Sequence, residues 1–194
     1  GVTGVQTCAL PISELRDDIL FVSLGRKNRG VFDTFDHTTR EGFELGLTAR
    51  AGKHTFRLAY TRLDATFEST AVVVNQSNSS SNRTPGQTNE FTIRPGDSIP
   101  GIPRDVLRLG WTFDATDKLN VGLNVIAQAG SYSRGNENNA HQPDGTYYLG
   151  SGRSAGYGVL NLNGDWRPSR GLTVFVQINN LLDKQYATAA QLGA

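Results

Sequence analysis

The chain has 194 residues, with 19 Lys and Arg against 18 Asp and Glu and a formal net charge of +1. Its cations are scattered, which leaves no basic face for nucleic acid. Its single cysteine, Cys8, excludes a disulfide framework and a cysteine-based zinc cluster. No apolar run reaches the roughly 18 residues that a membrane helix needs. The mean hydropathy of −0.37 still admits a membrane barrel, which hides its apolar residues at every second position and carries polar loops.

Residues 1–13, GVTGVQTCALPIS, show no strand alternation and no capping pattern. They also lack the basic n-region and long apolar core of a signal peptide. They resemble a translated sequencing-adapter peptide of the kind found at the ends of metagenomic reading frames. They are therefore read as a non-native leader in which Cys8 carries no chemistry.

From there the chain reads as a succession of strands. Residues 17–22 form the first, and 25–29 a polar turn. A return strand opens over 30–36 and continues to about residue 50, with Phe43, Leu45, Leu47 and Ala49 on one face and Glu44, Gly46, Thr48 and Arg50 on the other. A tight turn at 51–53 leads to a strand in which Phe56, Leu58 and Tyr60 alternate with Arg57, Ala59 and Thr61, ending near Phe67. Residues 68–104 are a long connection. Its part 75–89, NQSNSSSNRTPGQTN, has no apolar residue and is expected to gain too little from burial to offset the entropy of ordering it. Asn75, Asn78 and Asn82 each begin an N-x-(S/T) sequon, a spacing that chance readily produces in an Asn/Ser-rich loop.

Pro100 and Pro103 stiffen the approach to the next strand, where Leu107, Leu109, Trp111 and Phe113 alternate with Arg108, Gly110 and Thr112. A turn at 114–118 follows, then Leu119, Val121, Leu123 and Val125 alternate with Asn120, Gly122 and Asn124. Residues 131–156 make a second long polar loop. Its glycines have the wrong spacing for a phosphate loop and no helix follows. The next strand carries Leu160, Leu162 and Trp166 on one face, and a turn at 168–171 leads to Leu172, Val174, Val176 and Ile178, with only Phe175 breaking the alternation.

Three segments carry a family resemblance. The first is T-x-R-x-G-x-E over 38–44, with Arg40, Gly42 and Glu44. The second is I-P-G-I-P-R over 99–104, with Pro100 and Pro103. The third is N-L-L-D-K-Q-Y over 180–186, with Asn180, Leu181, Asp183 and Tyr186. In this order they resemble the barrel of TonB-dependent outer-membrane receptors, over about residues 15–190. The expected fold is all-β: an antiparallel transmembrane β-barrel fragment of about seven strands, most about 10–13 residues long. Short turns alternate with long loops, which puts all the turns at one end and all the long loops at the other. Trp111, Trp166 and Tyr60 suit the bilayer interfaces. A soluble β-sandwich or lipocalin-like barrel shares the alternation, and a passive porin shares the wall; strand length, loop asymmetry and the three segments favour the receptor.

The resemblance implies a plugged barrel of roughly 22 strands. Residues 14–194 would then be its C-terminal portion, truncated before the last strand. It implies energy-dependent uptake of a scarce nutrient, foremost an iron–siderophore complex. The expected partners are outer-membrane lipid, a small-molecule metal chelate, and the inner-membrane TonB complex, reached through a plug that is missing here. Candidate ligand contacts in the outer loops are Tyr132, Arg134, His141, Tyr147, Tyr148 and Arg153, because aromatic rings and cations suit an anionic, aromatic chelate. An enzyme has little support. His37, His54 and His141 lie on separate segments, the acidic pairs Asp33/Asp36 and Glu41/Glu44 split across strand faces, and no Gly-x-Ser-x-Gly elbow occurs. No residue pattern calls for a resident metal or other cofactor.

Overall fold

A computed structural model describes residues 5–8, 12–23, 30–82 and 89–192. It contains twelve strands among them: β1 (Val5–Cys8), β2 (Ile12–Ser23), β3 (Gly30–Ala51), β4 (His54–Phe67), β5 (Ala71–Val74), β6 (Glu90–Ile93), β7 (Asp105–Thr116), β8 (Leu119–Gln128), β9 (Ser131–Tyr132), β10 (Arg153–Ser154), β11 (Tyr157–Ser169) and β12 (Leu172–Ile178). The expected turn at 25–29 lies outside the described residues.

The main sheet is an antiparallel meander in the order β1-β3-β4-β7-β8-β11-β12, and β2 also pairs with β3. β1 and β2 lie end to end along one edge of β3, which at 22 residues is long enough to partner both. Val5–Cys8 of the leader segment pairs with β3 although its sequence shows no strand alternation. Ladder hydrogen bonds come from the backbone and need no alternating side chains.

Register explains the two faces. Directly paired residues of antiparallel strands share a face. Leu47 pairs with Leu58, Leu58 with Leu109, Leu109 with Val125, and Val125 with Leu160. The next row runs Ala49, Phe56, Trp111, Leu123, Leu162 and Ile178. One residue along, the rows are polar: Thr48, Arg57, Gly110, Asn124 and Asn161, then Arg50, Thr55, Thr112, Gly122, Asn163 and Gln177. The sheet therefore has an apolar face and, over these two rows, a polar one; the adjoining row on the second face, Gly46, Ala59, Arg108, Ile126 and Val159, is mixed. Phe175 pairs with Asp165 on the polar face.

The short turns sit together at one end. The Asp114 amide donates to Lys53 O (2.9 Å) and the Arg167 amide to Lys118 O (2.8 Å), so neighbouring turns brace one another. Gly52 takes φ +57°, a conformation that costs glycine nothing. Just above this end, on the apolar face, His54 stacks on Phe113 at 4.7 Å and accepts a hydrogen bond from Trp111 Nε1 at 3.2 Å.

At the opposite end, the described part of connection 68–104 is more ordered than its composition suggests. β5 and β6 form a hairpin whose Val73, Phe91 and Ile93 pack with Phe35, Ala65, Phe67 and Ile99 into a small buried core. The segment read as unable to order is folded over its described part, 75–82, where Asn75 and Asn78 are fully buried. Connection 131–156 contains the small hairpin β9–β10.

Two outcomes are expected. With Leu109 against mid-bilayer lipid, Leu109→Arg destabilises the intact barrel by about 2–4 kcal/mol, and Thr112→Arg on the polar face costs far less. Equal costs in a refolding titration into lipid would overturn the assignment of faces. The described sheet has two outer edges, and hydrocarbon does not tolerate unpaired strand edges. Residues 14–194 on their own should therefore give no discrete heat-modifiable monomer on an electrophoresis gel.

Candidate functional site

The three family-like segments do structural work at the loop end of the sheet. Arg40 reaches Asp18 (2.8 Å) and the Thr38 hydroxyl (3.1 Å), tying β3 to β2. At Gly42 a β-carbon would lie 2.2 Å from Arg62 O, so only glycine permits this approach of β3 to β4. Glu44 Oε1 accepts a long 3.5 Å bond from the Thr61 hydroxyl.

In the proline segment, Ile99 joins the small core and its amide donates to Ala65 O (3.0 Å). Pro100 and Pro103 hold Gly101 and Arg104 between β4 and the second loop: the Gly101 amide donates to Tyr132 O (2.9 Å), and the Arg104 guanidinium bonds Asp64 (2.9 Å).

The third segment is a built turn at the end of β12. Asn180 and Asp183 take φ +53° and +50°, the left-handed region that Asn and Asp enter most readily after glycine. Asn180 clamps Lys184 twice, donating to its carbonyl (3.0 Å) and accepting from its amide (2.9 Å). The Leu181 amide donates to Leu160 O (2.7 Å), and Tyr186 stacks on Tyr157 at 4.2 Å.

Above these anchors, the described parts of the connections 68–104, 129–156 and 179–192 fold against one another. Amides dominate the contacts. Asn75 and Asn78 both donate to Gly135 O (3.4 and 3.0 Å), Asn78 also donates to Asn138 Oδ1 (3.1 Å), and Asn139 Oδ1 accepts from the Ser98 amide (2.6 Å). The Leu192 amide donates to Arg134 O (2.7 Å), which brings in the segment after β12. The spacing that reads as a glycosylation sequon has another basis here. Asn75 Oδ1 accepts from the Ser77 amide (2.9 Å) and Asn78 Oδ1 from the Ser80 amide (3.0 Å), so each N-x-S is an Asx turn. Asn75, Asn78, Asn136 and Glu137 are the site residues that sequence reasoning missed; this two-residue spacing is the signal that could have found the first two, and nothing local marks Asn136, which bonds Gly152 O (3.0 Å) and the His141 amide (3.0 Å), or Glu137.

The six candidate ligand contacts divide into three groups. His141, Tyr147 and Tyr148 come together around a 210 Å³ hollow that Leu149 and Leu192 also line. His141 is buried: its Nδ1 accepts from the Ser79 amide (3.1 Å), so Nε2 carries the proton and faces Gly150 O (3.1 Å). Burial pushes its pKa down, and the ring is neutral. The buried Tyr148 hydroxyl donates to the carbonyls of Gln76 and Asn78 (3.2 and 3.3 Å). Tyr147 is 59% exposed, edge-on to Tyr148 at 5.1 Å. Asp144 sets both tyrosines by accepting from the amides of 146, 147 and 148 (2.9, 2.8 and 2.7 Å), bonds that hold its carboxyl below the usual range. Tyr132 and Arg153 form a separate pair on β9 and β10, with the exposed guanidinium 4.4 Å from the ring centroid. Arg134 stands apart, its backbone bridged to the segment after β12. Among the described residues, no cluster of three or more His, Cys, Asp or Glu is placed to hold a metal ion.

A family model described as TonB dependent receptor-like, beta-barrel matches residues 12–181. The chain belongs to this family. Members of the TonB-dependent receptor family are outer-membrane β-barrel proteins and act as transport receptors, not enzymes. No curated protein matches the sequence. Among solved structures, the chain is similar to the siderophore receptor PiuA from Acinetobacter baumannii, with TM-score 0.62 and 18% identity over 95% of this chain and 23% of that one. It is similar to the ferric-catecholate import receptor Fiu from K12 E. coli, with TM-score 0.58 and 15% identity over 93% and 21%. It is also similar to the copper transporter OprC, with TM-score 0.58 and 19% identity over 92% and 23%. At these identities the likeness concerns the fold, and the chain spans about a quarter of the length of each.

One group in this receptor's loop cluster gives a pH signature. Glu137 is 3% exposed; Oε1 accepts from the Gly135 amide (2.7 Å), and Oε2 has no partner among the described residues. Burial pushes its carboxyl up to about 7 from an ordinary 4.5. The folded loop thus holds this proton more tightly than an unfolded one. The contribution of Glu137 to loop stability is full below about pH 4.5 and is lost as pH rises through about 7. Amide hydrogen exchange over 133–141 in the whole receptor, corrected for intrinsic rates, should show wild-type protection falling across that window relative to Glu137→Gln. Glu137→Gln should flatten the dependence; a variant with the wild-type pH profile would remove Glu137 as its source.

Proposed function

We propose that this chain is part of the wall and outer loops of a receptor that takes up a metal chelate, foremost an iron–siderophore complex, across the outer membrane. Coupling to TonB would run through a plug lying outside this chain. The family match over 12–181 carries the reading. Its support is the asymmetry of the molecule, with plain turns at one end and a folded loop cluster with exposed aromatic and cationic groups at the other. Two of the similar structures are named for siderophore or ferric-catecholate import, which is the basis for placing an iron chelate first.

Within the cluster the residues take different parts. Tyr147 and Arg153, both exposed, are the proposed cargo contacts, with Tyr132 backing Arg153 and Arg134 at the margin. His141 and Tyr148 hold the loops in place, because their polar atoms already face backbone groups.

The test is uptake of radiolabelled iron, supplied as catecholate or hydroxamate chelates, by cells that lack their own receptors and express the full-length protein. Saturable uptake that stops without TonB is expected. Tyr147→Ala and Arg153→Ala should each weaken chelate binding about three- to tenfold without lowering the amount of folded receptor. His141→Ala should lower the folded amount itself. Uptake that persists without TonB would point to a passive pore, and uptake of copper but not of iron chelates would replace the cargo.

A further inference from the structure

At the short-turn end, the apolar face carries one hydrogen-bond donor that the chain itself does not use. His54 is the first residue of β4 and pairs with Phe113, so its imidazole stands on that face beside the turn. Trp111 Nε1 donates to His54 Nδ1 (3.2 Å). An indole nitrogen can only donate, so Nδ1 accepts and the imidazole proton sits on Nε2. Among the described residues, no group accepts from Nε2, and the atom is not buried.

An apolar groove leads away from this donor. Phe56, Leu58, Leu109, Trp111, Leu123 and Val125 line a 420 Å³ hollow on the same face. Phe56 and Leu58 stand two and four residues beyond His54 on β4, so the groove runs roughly 14 Å from the imidazole towards mid-wall. That shape suits a hydrocarbon chain laid along the strand.

The short turns of an outer-membrane barrel are on the periplasmic side. Hydrocarbon offers an N–H no acceptor, so Nε2 must find one in the headgroup layer. Tryptophan N–H groups commonly serve that layer. Here the indole donor is spent on His54, which presents its own donor in turn. Lys53, held by Ala115 O (2.9 Å), adds an ammonium at the same end, whereas Asp114 and Asp165 lie on the opposite face, where both pair with Asn120. An anionic acceptor is favoured there over a neutral ester, because hydrogen bonds to an ionised oxygen are the stronger ones.

We propose that His54 and this groove form a binding site for one phospholipid of the periplasmic leaflet. Its phosphodiester accepts from Nε2, and one acyl chain lies along the groove. The site belongs to the outer wall and does not depend on which cargo the loops take.

The probe is phosphatidylethanolamine with a photoreactive diazirine in one acyl chain, mixed at equimolar ratio with the purified full-length receptor in detergent. Label should concentrate in β4, β7 and β8 peptides, at least threefold above β12 peptides, which also face lipid. Diacylglycerol with the same chains but no phosphodiester should label the groove at least threefold less. Excess inorganic phosphate should displace nothing. His54→Phe/Trp111→Phe keeps the rings but removes both N–H donors, and should lower groove labelling at least threefold while keeping the heat-modifiable folded form. If that variant does not fold, the comparison of the two lipids on the unaltered receptor decides. Label spread evenly over the wall, equal labelling by diacylglycerol, displacement by phosphate, or unchanged labelling of the folded variant would each overturn the proposal.

Discussion

In hydrocarbon, a backbone N–H or C=O finds no water, and each one left unpaired costs several kcal/mol. A wall that crosses the outer membrane must therefore satisfy its peptide groups within itself. The meander does so with a ladder that keeps its register through mid-wall from β3 to β11. Its register shifts, at 114–116 and 166–169, fall next to the short turns, where a strand can bend without opening the ladder in mid-wall. Gly42 belongs to the same constraint, because a side chain there would push β3 away from β4.

Once the ladder is fixed, the two faces follow. Each residue has only two directions available, and lipid takes one of them. The other direction is free to be polar, small or charged, and the Asn, Thr, Gly and Arg rows occupy it. The same period explains Phe175. Its neighbours Val174 and Val176 take the apolar side, so an aromatic ring between them must stand on the polar one.

The wall was legible in the sequence because its signal is local. Alternation marks Leu107 to Phe113 or Leu119 to Val125 without knowledge of what pairs with them, and the structure places those strands as read. The family segments were legible as patterns, but the reasons for them were not: the left-handed Asn180 and Asp183 and the crowding at Gly42 exist only in three dimensions. The loops were least legible. Polarity was a sound guide to the absence of an apolar core in 75–82, but it missed that side-chain amides can bury themselves by bonding across loops. Nothing in the local sequence reports that Asn78 meets Asn138, 60 residues away. Likewise, His141 and Tyr148 look like exposed loop chemistry until their partners in the other loop are known.

The shared amide bonds have a consequence for how such loops evolve. Surface loops are where homologous proteins usually vary most, each drifting separately from its neighbours. Here Asn75 and Asn78 of one loop and Gly135 and Asn138 of the next complete one another's valences, so a change in one leaves a buried donor or acceptor stranded in the other. The loops of this receptor should therefore diversify as a set, exchanged between lineages as one inherited block rather than altered residue by residue.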